Sequence, residues 1–317
     1  MKVLVTGGSG FIASWIRKEL TARGHQAIVM DHQDRRQHLA DSEEFFLADV
    51  RDPTAVTEAA AHADGIIHLA AVLGTQETIT NPRPSAETNI IGSLNVFEAA
   101  AQYNLPTVYA GVGNHAFRLI GTGCYTITKS AAEDLARMYN LYRDGGRITI
   151  VRPVNAYGPG QSVAAPYGTS KVRKILPALS CRALTGSPIE VYGDGTQISD
   201  CVYVADVANA FVTALEYTAE HGPTERPVEV GPLESRTVND IARLVGEHAA
   251  LLTGREPVGV VHLPMRPGEI PNAVVSSDTE TLKQIGLDAA DFVPLEDGIR
   301  RTVEYFHDAW LPGYLAA

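Results

Sequence analysis

The chain opens with an apolar run, a glycine-rich turn and a segment of helical periodicity. Residues 3–5, Val-Leu-Val, are continuously apolar, which is typical of a buried parallel strand. After Gly10, apolar residues recur at intervals of three and four, which predicts a helix. A second apolar run at residues 27–30 ends at Asp31. The pattern predicts a strand, a tight turn, a helix and a second strand.

The same alternation continues through the first half of the chain. Apolar runs at 45–48, 65–69, 107–110 and 148–151 alternate with segments of helical periodicity, including a long one from Pro84. Strands that alternate with helices indicate an α/β fold with a doubly wound parallel Rossmann sheet, whose ligands bind at the carboxyl ends of the strands. After about residue 155 the loops lengthen and the strands shorten, which predicts a smaller C-terminal α/β domain.

Composition narrows the possible partners. The 317-residue chain is longer than one ordinary domain and carries a net charge of −11, with no basic stripe, so we expect no nucleic-acid partner. Three cysteines without a C-x-x-C pair predict neither a metal site nor a disulfide framework. No signal peptide precedes the first strand and no apolar run has transmembrane length, so we expect a cytoplasmic protein with no membrane partner.

The glycine-rich turn is suited to a pyrophosphate. Gly7 can adopt backbone angles closed to other residues, and Gly10 allows the main chain to approach the anion. The helix that follows directs its unpaired N–H groups, those of Phe11 and Ile12 among them, at the same place. We therefore expect all four residues to bind a dinucleotide.

Two further features fit that cofactor. A carboxylate at Asp31 can accept both hydroxyls of an adenosine ribose and would repel a 2′-phosphate, which favours NAD, although Arg35 and Arg36 keep NADP possible. Small or compact residues follow the fourth strand, where the backbone must pass close to the cofactor: Leu69, Ala70 and Ala71.

A tyrosine and a lysine at helical spacing follow the fifth strand. Tyr125 and Lys129 are four residues apart and project from the same side of a helix. A phenol acts as a base near neutral pH only if its anion is stabilised, which a nearby ammonium does. Such pairs are frequent by chance, so position in the fold must support the assignment.

The turn Thr-Gly-Gly-Ser-Gly-Phe-Ile at 6–12, the helix sequence at 87–100, the Tyr-x-x-x-Lys pair and the stretch 191–208 together resemble the extended short-chain dehydrogenase/reductases. Within that family the resemblance is to nucleotide-sugar epimerases and dehydratases of the UDP-glucose 4-epimerase type. It implies NAD as cofactor, a nucleotide-sugar substrate and a homodimer built on helix faces around 94–101 and 135–142. It also implies a cofactor domain of residues 1–155, with a contribution from about 200–218, and a substrate domain of 156–317.

The resemblance also implies roles for single residues. Tyr125 would be the catalytic acid/base, and Lys129 would bind ribose and stabilise the phenolate. Asp49 and Val50 match the family's adenine contacts; the alternative is that Asp49 caps the helix near Pro53. Asn155 and Arg266 match residues that contact the sugar diphosphate.

The sequence departs from the family after the fifth strand. The family's catalytic Ser or Thr is missing from Ala-Gly-Val-Gly-Asn-His at 110–115, and no Asp-Glu pair or Glu follows as in dehydratases and decarboxylases. Thr126, which we assign to the catalytic set, or Asn114, which we assign to substrate binding, can supply the hydrogen bond; Thr122 and His115 are further candidates. Ser199 stands where many relatives have a phosphate-binding Arg.

These observations favour an NAD-dependent nucleotide-sugar 4-epimerase that works through a 4-keto intermediate. The missing hydroxyl and Ser199 leave open an NAD(P)-dependent dehydratase or ketoreductase of secondary metabolism. A dinucleotide-binding regulator without turnover is the third hypothesis, and the presence of both Tyr125 and Lys129 counts against it.

Overall fold

The computed structural model describes residues 1–40, 43–113, 115 and 123–316. Within those ranges the strands are β1 (Lys2–Thr6), β2 (Gln26–Asp31), β3 (Glu44–Leu47), β4 (Gly65–His68), β5 (Thr107–Ala110), β6 (Ile148–Pro153), β7 (Asn155–Tyr157), β8 (Ile189–Tyr192), β9 (Ile198–Ser199), β10 (Cys201–Tyr203), β11 (Val228–Val230), β12 (Val260–Leu263) and β13 (Val274–Val275).

The α-helices over the same residues are α1 (Phe11–Ala22), α2 (Pro53–Ala60), α3 (Glu77–Thr80), α4 (Arg83–Ala86), α5 (Ser93–Gln102), α6 (Cys124–Tyr142), α7 (Ile175–Leu184), α8 (Val204–His221), α9 (Val238–Thr253), α10 (Leu295–Tyr305) and α11 (Leu311–Ala316). Single 3₁₀ segments occur at Arg36–His38, Thr279–Ile285 and Ala289–Asp291, and π-helical turns at Glu87–Gly92 and Phe306–Trp310.

Seven strands form the central sheet in the order β11-β6-β5-β4-β1-β2-β3, and every neighbouring pair is parallel. The chain order reverses at β1, where Thr6 pairs with Met30 of β2 on one side and with His68 of β4 on the other. This reversal opens a crevice at the carboxyl edge of the sheet, the usual ligand site of such folds. The predicted Rossmann fold class is confirmed.

Helix α8 returns from the second half of the chain to cover the sheet. It packs on α1 and on β4, β5 and β6. Its buried side chains, Val207, Phe211 and Leu215, join one core with Val5 and Ile16 of the first unit. The late strand β11 extends the same sheet beside β6.

A second core forms where α7, α9 and α10 pack together with β8. Leu176, Ile241, Val245 and Ile299 are buried in it. Three two-stranded parallel pairs, β7–β10, β8–β12 and β9–β13, lie outside the central sheet. Over the described ranges, no helix is long and apolar enough to cross a membrane.

The N-terminus of α2 shows which aspartate caps this helix. Asp52, not Asp49, is its N-cap: Asp52 Oδ1 accepts the N–H groups of Thr54 and Ala55 at 3.0 and 3.2 Å. The Asp49 carboxylate instead pairs with Arg51 at 2.7 Å. The expectation that Asp49 caps this helix is wrong, because Asp52 directly precedes Pro53 and reaches the free amides first.

Candidate active site

A cleft of about 1390 Å³ opens at the carboxyl edge of the sheet. One wall consists of the glycine turn, the residues after β4 and β5, and the start of α6. The other wall consists of residues from the second half of the chain, around 168–175, 190–199 and 265–270. Residues from both halves of the chain, among them Gly7, Tyr125 and Arg266, therefore line one cavity.

The glycine turn has the geometry that a pyrophosphate needs. Gly7 has φ +64°, and a Cβ there would lie 2.8 Å from the backbone nitrogen of Ala70. Gly10 is the N-cap of α1, and no side chain of the described residues caps this end. Phe11 and Ile12 line the cleft, so the first-turn amides of α1 are available to an anion.

Asp31 lies beside this turn at the end of β2. Its Oδ2 accepts the N–H of Ser9 at 3.1 Å, and its Oδ1 accepts the N–H of Gln33 at 3.0 Å. The carboxylate is thus fixed next to the glycine turn, as a ribose acceptor must be. Arg35 lines the cleft, whereas Arg36 pairs with Asp34 at 2.6 Å. The chain therefore fits a dinucleotide at this position.

The other residues predicted to bind the cofactor occupy different positions. Leu69 and Ala71 line the cleft, and Ala70 packs directly beneath Gly7. Val50 is 5% exposed and packs against Gly92, and Asp49 is held by Arg51. The cleft lining does not include Asp49 or Val50.

Tyr125 and Lys129 both line the cleft from the first turns of α6. Lys129 is 2% exposed, and its Nζ lies 4.1 Å from the centroid of the Tyr109 ring. Burial, with the nearby Glu133 carboxylate, raises the pKa of Tyr125 to about 12. Burial lowers the pKa of Lys129 to about 7, against the opposing effect of Glu133. Without cofactor, the phenol holds its proton at neutral pH and the ammonium is close to losing one.

Glu133, one turn beyond Lys129, was not singled out from the sequence. It is completely buried and accepts the N–H of Val112 at 3.0 Å, and it also binds Arg152 and His115 Nδ1, the latter at 3.1 Å. Burial alone would raise its pKa, but hydrogen bonds from His115 and Arg152 outweigh burial and lower the pKa to about 2. The spacing of four from Lys129 was the available signal, since it places Glu133 on the same helix face.

The segment after β5 carries no hydroxyl into the cleft at its described positions. Gly111, Val112 and Gly113 line the cavity, and His115 directs Nδ1 at Glu133 and at Ser130. Asn114 and Thr122 lie outside the described residues.

Thr126 is 1% exposed and is not part of the cleft lining, so we leave it out of the proposed catalytic set.

Across the described residues, no cluster of three or more His, Cys, Asp and Glu suits a metal ion.

Asn155 and Arg266 both line the cleft, and Arg266 belongs to its second wall. Asn155 Nδ2 donates to Ser199 Oγ at 3.0 Å and to the carbonyl of Asp200 at 2.9 Å. The Arg266 guanidinium carbon lies 4.8 Å from the Tyr192 ring centroid, and the side chain pairs with Glu269. The predicted basic cluster, Lys171, Arg173 and Lys174, lines the same wall.

Residues 3–231 match the model of the NAD dependent epimerase/dehydratase family. The chain belongs to this family. Its members depend on NAD, so NAD is the cofactor, and the glycine turn with Asp31 is where this chain's residues fit it.

Similar proteins within the family differ in their reactions. The chain is 27% identical to a UDP-N-acetyl-alpha-D-glucosaminuronate decarboxylase of Bacillus cytotoxicus, over 97% of this chain and 98% of that protein. It is 30% identical, with a TM-score of 0.80, to the crystal structure of a Thermus thermophilus UDP-glucose 4-epimerase with NAD, covering 98% and 100% of the chains. A Thermotoga maritima UDP-glucose 4-epimerase with UDP-glucose is 27% identical, with a TM-score of 0.81 and coverage of 96% and 98%.

Proposed function

We propose that the protein is an NAD-dependent nucleotide-sugar 4-epimerase. The observation that carries the proposal is that Tyr125 and Lys129 open into the same cleft as the glycine turn. The 4-epimerases with NAD and with UDP-glucose that resemble this chain over nearly its full length support it. In this proposal residues 1–155 and about 200–218 hold the cofactor, and 156–317 bind the nucleotide sugar.

The segment between β5 and α6 favours epimerisation over elimination. From Gly111 to Cys124 the sequence contains no Asp or Glu. Dehydration and decarboxylation alter bonds beyond C4, and the family members that catalyse them carry a carboxylate on this segment. A 4-epimerase needs proton transfer at one oxygen only, which a single phenol can perform.

The proposed mechanism uses the phenol as base and then as acid. Bound NAD, held by the glycine turn beside Asp31, would supply the hydride acceptor and donor for the sugar carbon, and its positive nicotinamide ring would add to the charge that stabilises the Tyr125 phenolate. Tyr125 removes the proton of the 4-hydroxyl, the 4-keto sugar rotates in the cleft, and Tyr125 returns the proton to the oxygen. Lys129 holds the ribose and stabilises the phenolate by its charge.

The substrate diphosphate is assigned to the opposite wall. Arg266 can grip a phosphate with two parallel hydrogen bonds, and Asn155 is held by Ser199 and Asp200 within reach of the same space. Lys171, Arg173 and Lys174 add positive charge to this wall in a protein of net charge −11. We further propose a cytoplasmic homodimer.

The experiment is to denature purified protein, identify any released dinucleotide, and incubate native protein with UDP-, dTDP- and GDP-sugars while NMR follows the products. We expect retained NAD, interconversion of C4 epimers and no net consumption of cofactor. Tyr125→Phe should abolish turnover and keep NAD bound. Turnover only with added NADH or NADPH, or loss of water or carbon dioxide from the sugar, would replace the epimerase with a reductase, dehydratase or decarboxylase.

A further inference from the structure

Helix α6 begins without a cap of its own. Its N-cap is Gly123, which has no side chain, yet Tyr125 stands in the first turn, where backbone N–H groups lack a helical partner. The N–H of Tyr125 donates instead to the Thr78 hydroxyl at 3.2 Å. Thr78 lies on α3, far away in sequence, and is 2% exposed. A residue from another element therefore replaces the missing cap.

The Thr78 hydroxyl is itself fixed in orientation. It donates its hydrogen to the carbonyl of Gly74 at 2.7 Å, with the carbonyl of Thr75 as a second acceptor at 3.3 Å. With its only hydrogen engaged there, the oxygen presents lone pairs to the amide of Tyr125. A methyl group in its place would leave that amide without its acceptor in a buried setting.

The segment 74–80 is packed between the two walls of the cleft. A Cβ at Gly123 would lie 2.6 Å from the Thr75 carbonyl oxygen, so the segment touches the start of α6. A Cβ at Gly268, where φ is +82°, would lie 2.7 Å from Ile79 Cδ1, so it also touches the loop that carries Arg266. Gly74, Thr75, Gln76 and Glu77 line the cleft between these contacts.

We propose that Thr78 is a positioning residue for Tyr125. Its hydroxyl fixes the backbone from which the phenol projects, and the segment 74–80 keeps that backbone in register with the Arg266 loop. The Tyr125 oxygen is thereby held at a set distance from a sugar whose diphosphate is bound on the opposite wall. This inference rests on the proposed function, because the reaction is assigned to Tyr125.

The test compares Thr78→Val, which removes the hydroxyl, with Thr78→Ser, which keeps it. Thr302→Val is the matched control: Thr302 is also buried and its hydroxyl donates to the carbonyl four residues earlier, on α10 and outside the cleft lining. We expect Thr78→Val to lower kcat about tenfold with KM within twofold. Thr78→Ser should have a kcat within twofold of the wild type. Thr302→Val should lower Tm and leave kcat and KM unchanged.

Amide hydrogen exchange over residues 123–129 provides a readout that needs no turnover. Exchange at Tyr125 should speed up in Thr78→Val and not in Thr78→Ser. If Thr78→Val does not fold, Thr78→Ala takes its place. Unchanged exchange, unchanged kcat, or a kcat loss that serine does not rescue would overturn the positioning role. A wild type without epimerase activity would refute the proposed function, and the exchange result would still decide whether Thr78 holds Tyr125.

Discussion

Glu133 connects three elements around the proposed catalytic pair. It shares a helix face with Tyr125 and Lys129, it accepts the backbone N–H of Val112 after β5, and it binds Arg152 of β6. A buried carboxylate with a nearly complete set of donors stabilises the fold only while all partners remain. Its loss would remove the acceptor of the Val112 amide and one of the two carboxylates that pair with Arg152.

We expect Glu133→Gln to lower the free energy of unfolding at pH 7 by about 3 kcal/mol, because it removes the buried negative charge that faces Arg152 and leaves that guanidinium with Glu229 as its charge partner. The pKa of Glu133 is about 2 in the folded protein against an ordinary 4.5, so the unfolded chain binds the extra proton in that interval. The stabilisation is present above pH 4.5 and is lost as pH falls towards 2.

Urea unfolding between pH 7 and pH 3 measures this effect. The wild type should lose stability more steeply with acid than Glu133→Gln. Glu98→Gln is the control, since the Glu98 side chain is 58% exposed, accepts the Tyr139 hydroxyl and lies 4.0 Å from Arg143. A Glu133→Gln variant within 1 kcal/mol of the wild type at pH 7 would contradict the expectation.

At the residue scale, the sequence predicts which side chains lie together when helical spacing alone places them on one face. Tyr125 and Lys129 share the cleft because residues four apart share a helix face. Thr126 is rotated by about 100° from Tyr125 around the axis, which is why it is buried rather than exposed to the cleft. The partners of Glu133 come from distant strands, and no local pattern predicts them.

At the element scale, substitutions of Asp49 and Asp52 distinguish helix capping from cofactor binding, the two roles that the sequence leaves open for Asp49. Asp52→Ala should cost about 1 kcal/mol of stability, because the Thr54 and Ala55 amides lose their acceptor, and should leave NAD affinity unchanged. If Asp49 contacts adenine as the resemblance implies, Asp49→Ala should weaken NAD binding several-fold.

Thermal unfolding and NAD titration of both variants check this pair of expectations. Asp49→Ala should move Tm less than Asp52→Ala, since its partner Arg51 is nearly half exposed. An Asp49→Ala protein that binds NAD like the wild type would remove Asp49 from the cofactor site.

Apolar runs predict most strands of the central sheet, whereas elements of only a few residues with no apolar run are not predicted. The apolar runs at 65–69 and 107–110 coincide with β4 and β5, because both strands are buried on both faces of the sheet. The four-residue α3 and the two-residue β9 and β13 are too short for a periodic signal. The π-helical turn at Glu87–Gly92 has no signature either, although it places Asn89 to pair with both backbone groups of Val72.

At the scale of the whole molecule, α6 carries several exposed apolar side chains, most of them near its C-terminal end. Leu141 and Tyr142 are 72% and 79% exposed, and Ile127 and Met138 are also exposed. The other predicted dimer face is largely used within the chain, since Phe97 is buried against Tyr109 and Tyr139. The proposed dimer interface is therefore centred on α6.

We expect the wild type to be a dimer by light scattering, and Leu141→Asp with Tyr142→Asp to be a monomer, because two charges would be buried in the interface. Leu251→Asp is the control, since Leu251 is 79% exposed on α9. A monomeric wild type, or a double variant that stays dimeric, would contradict this interface.

Helix α8 and strand β11 lie late in the sequence, and this order matters while the chain is being synthesised. At the 5–20 residues per second of translation, roughly 3–14 seconds separate the end of β6 from the end of α8. During that interval α1 and six of the seven strands of the central sheet have been made, but Val207, Phe211 and Leu215 are not yet there to cover Ile16 and Leu20. The nascent chain thus passes through a stage in which its first half is complete in sequence and open on one face, which is when a chaperone has most to bind.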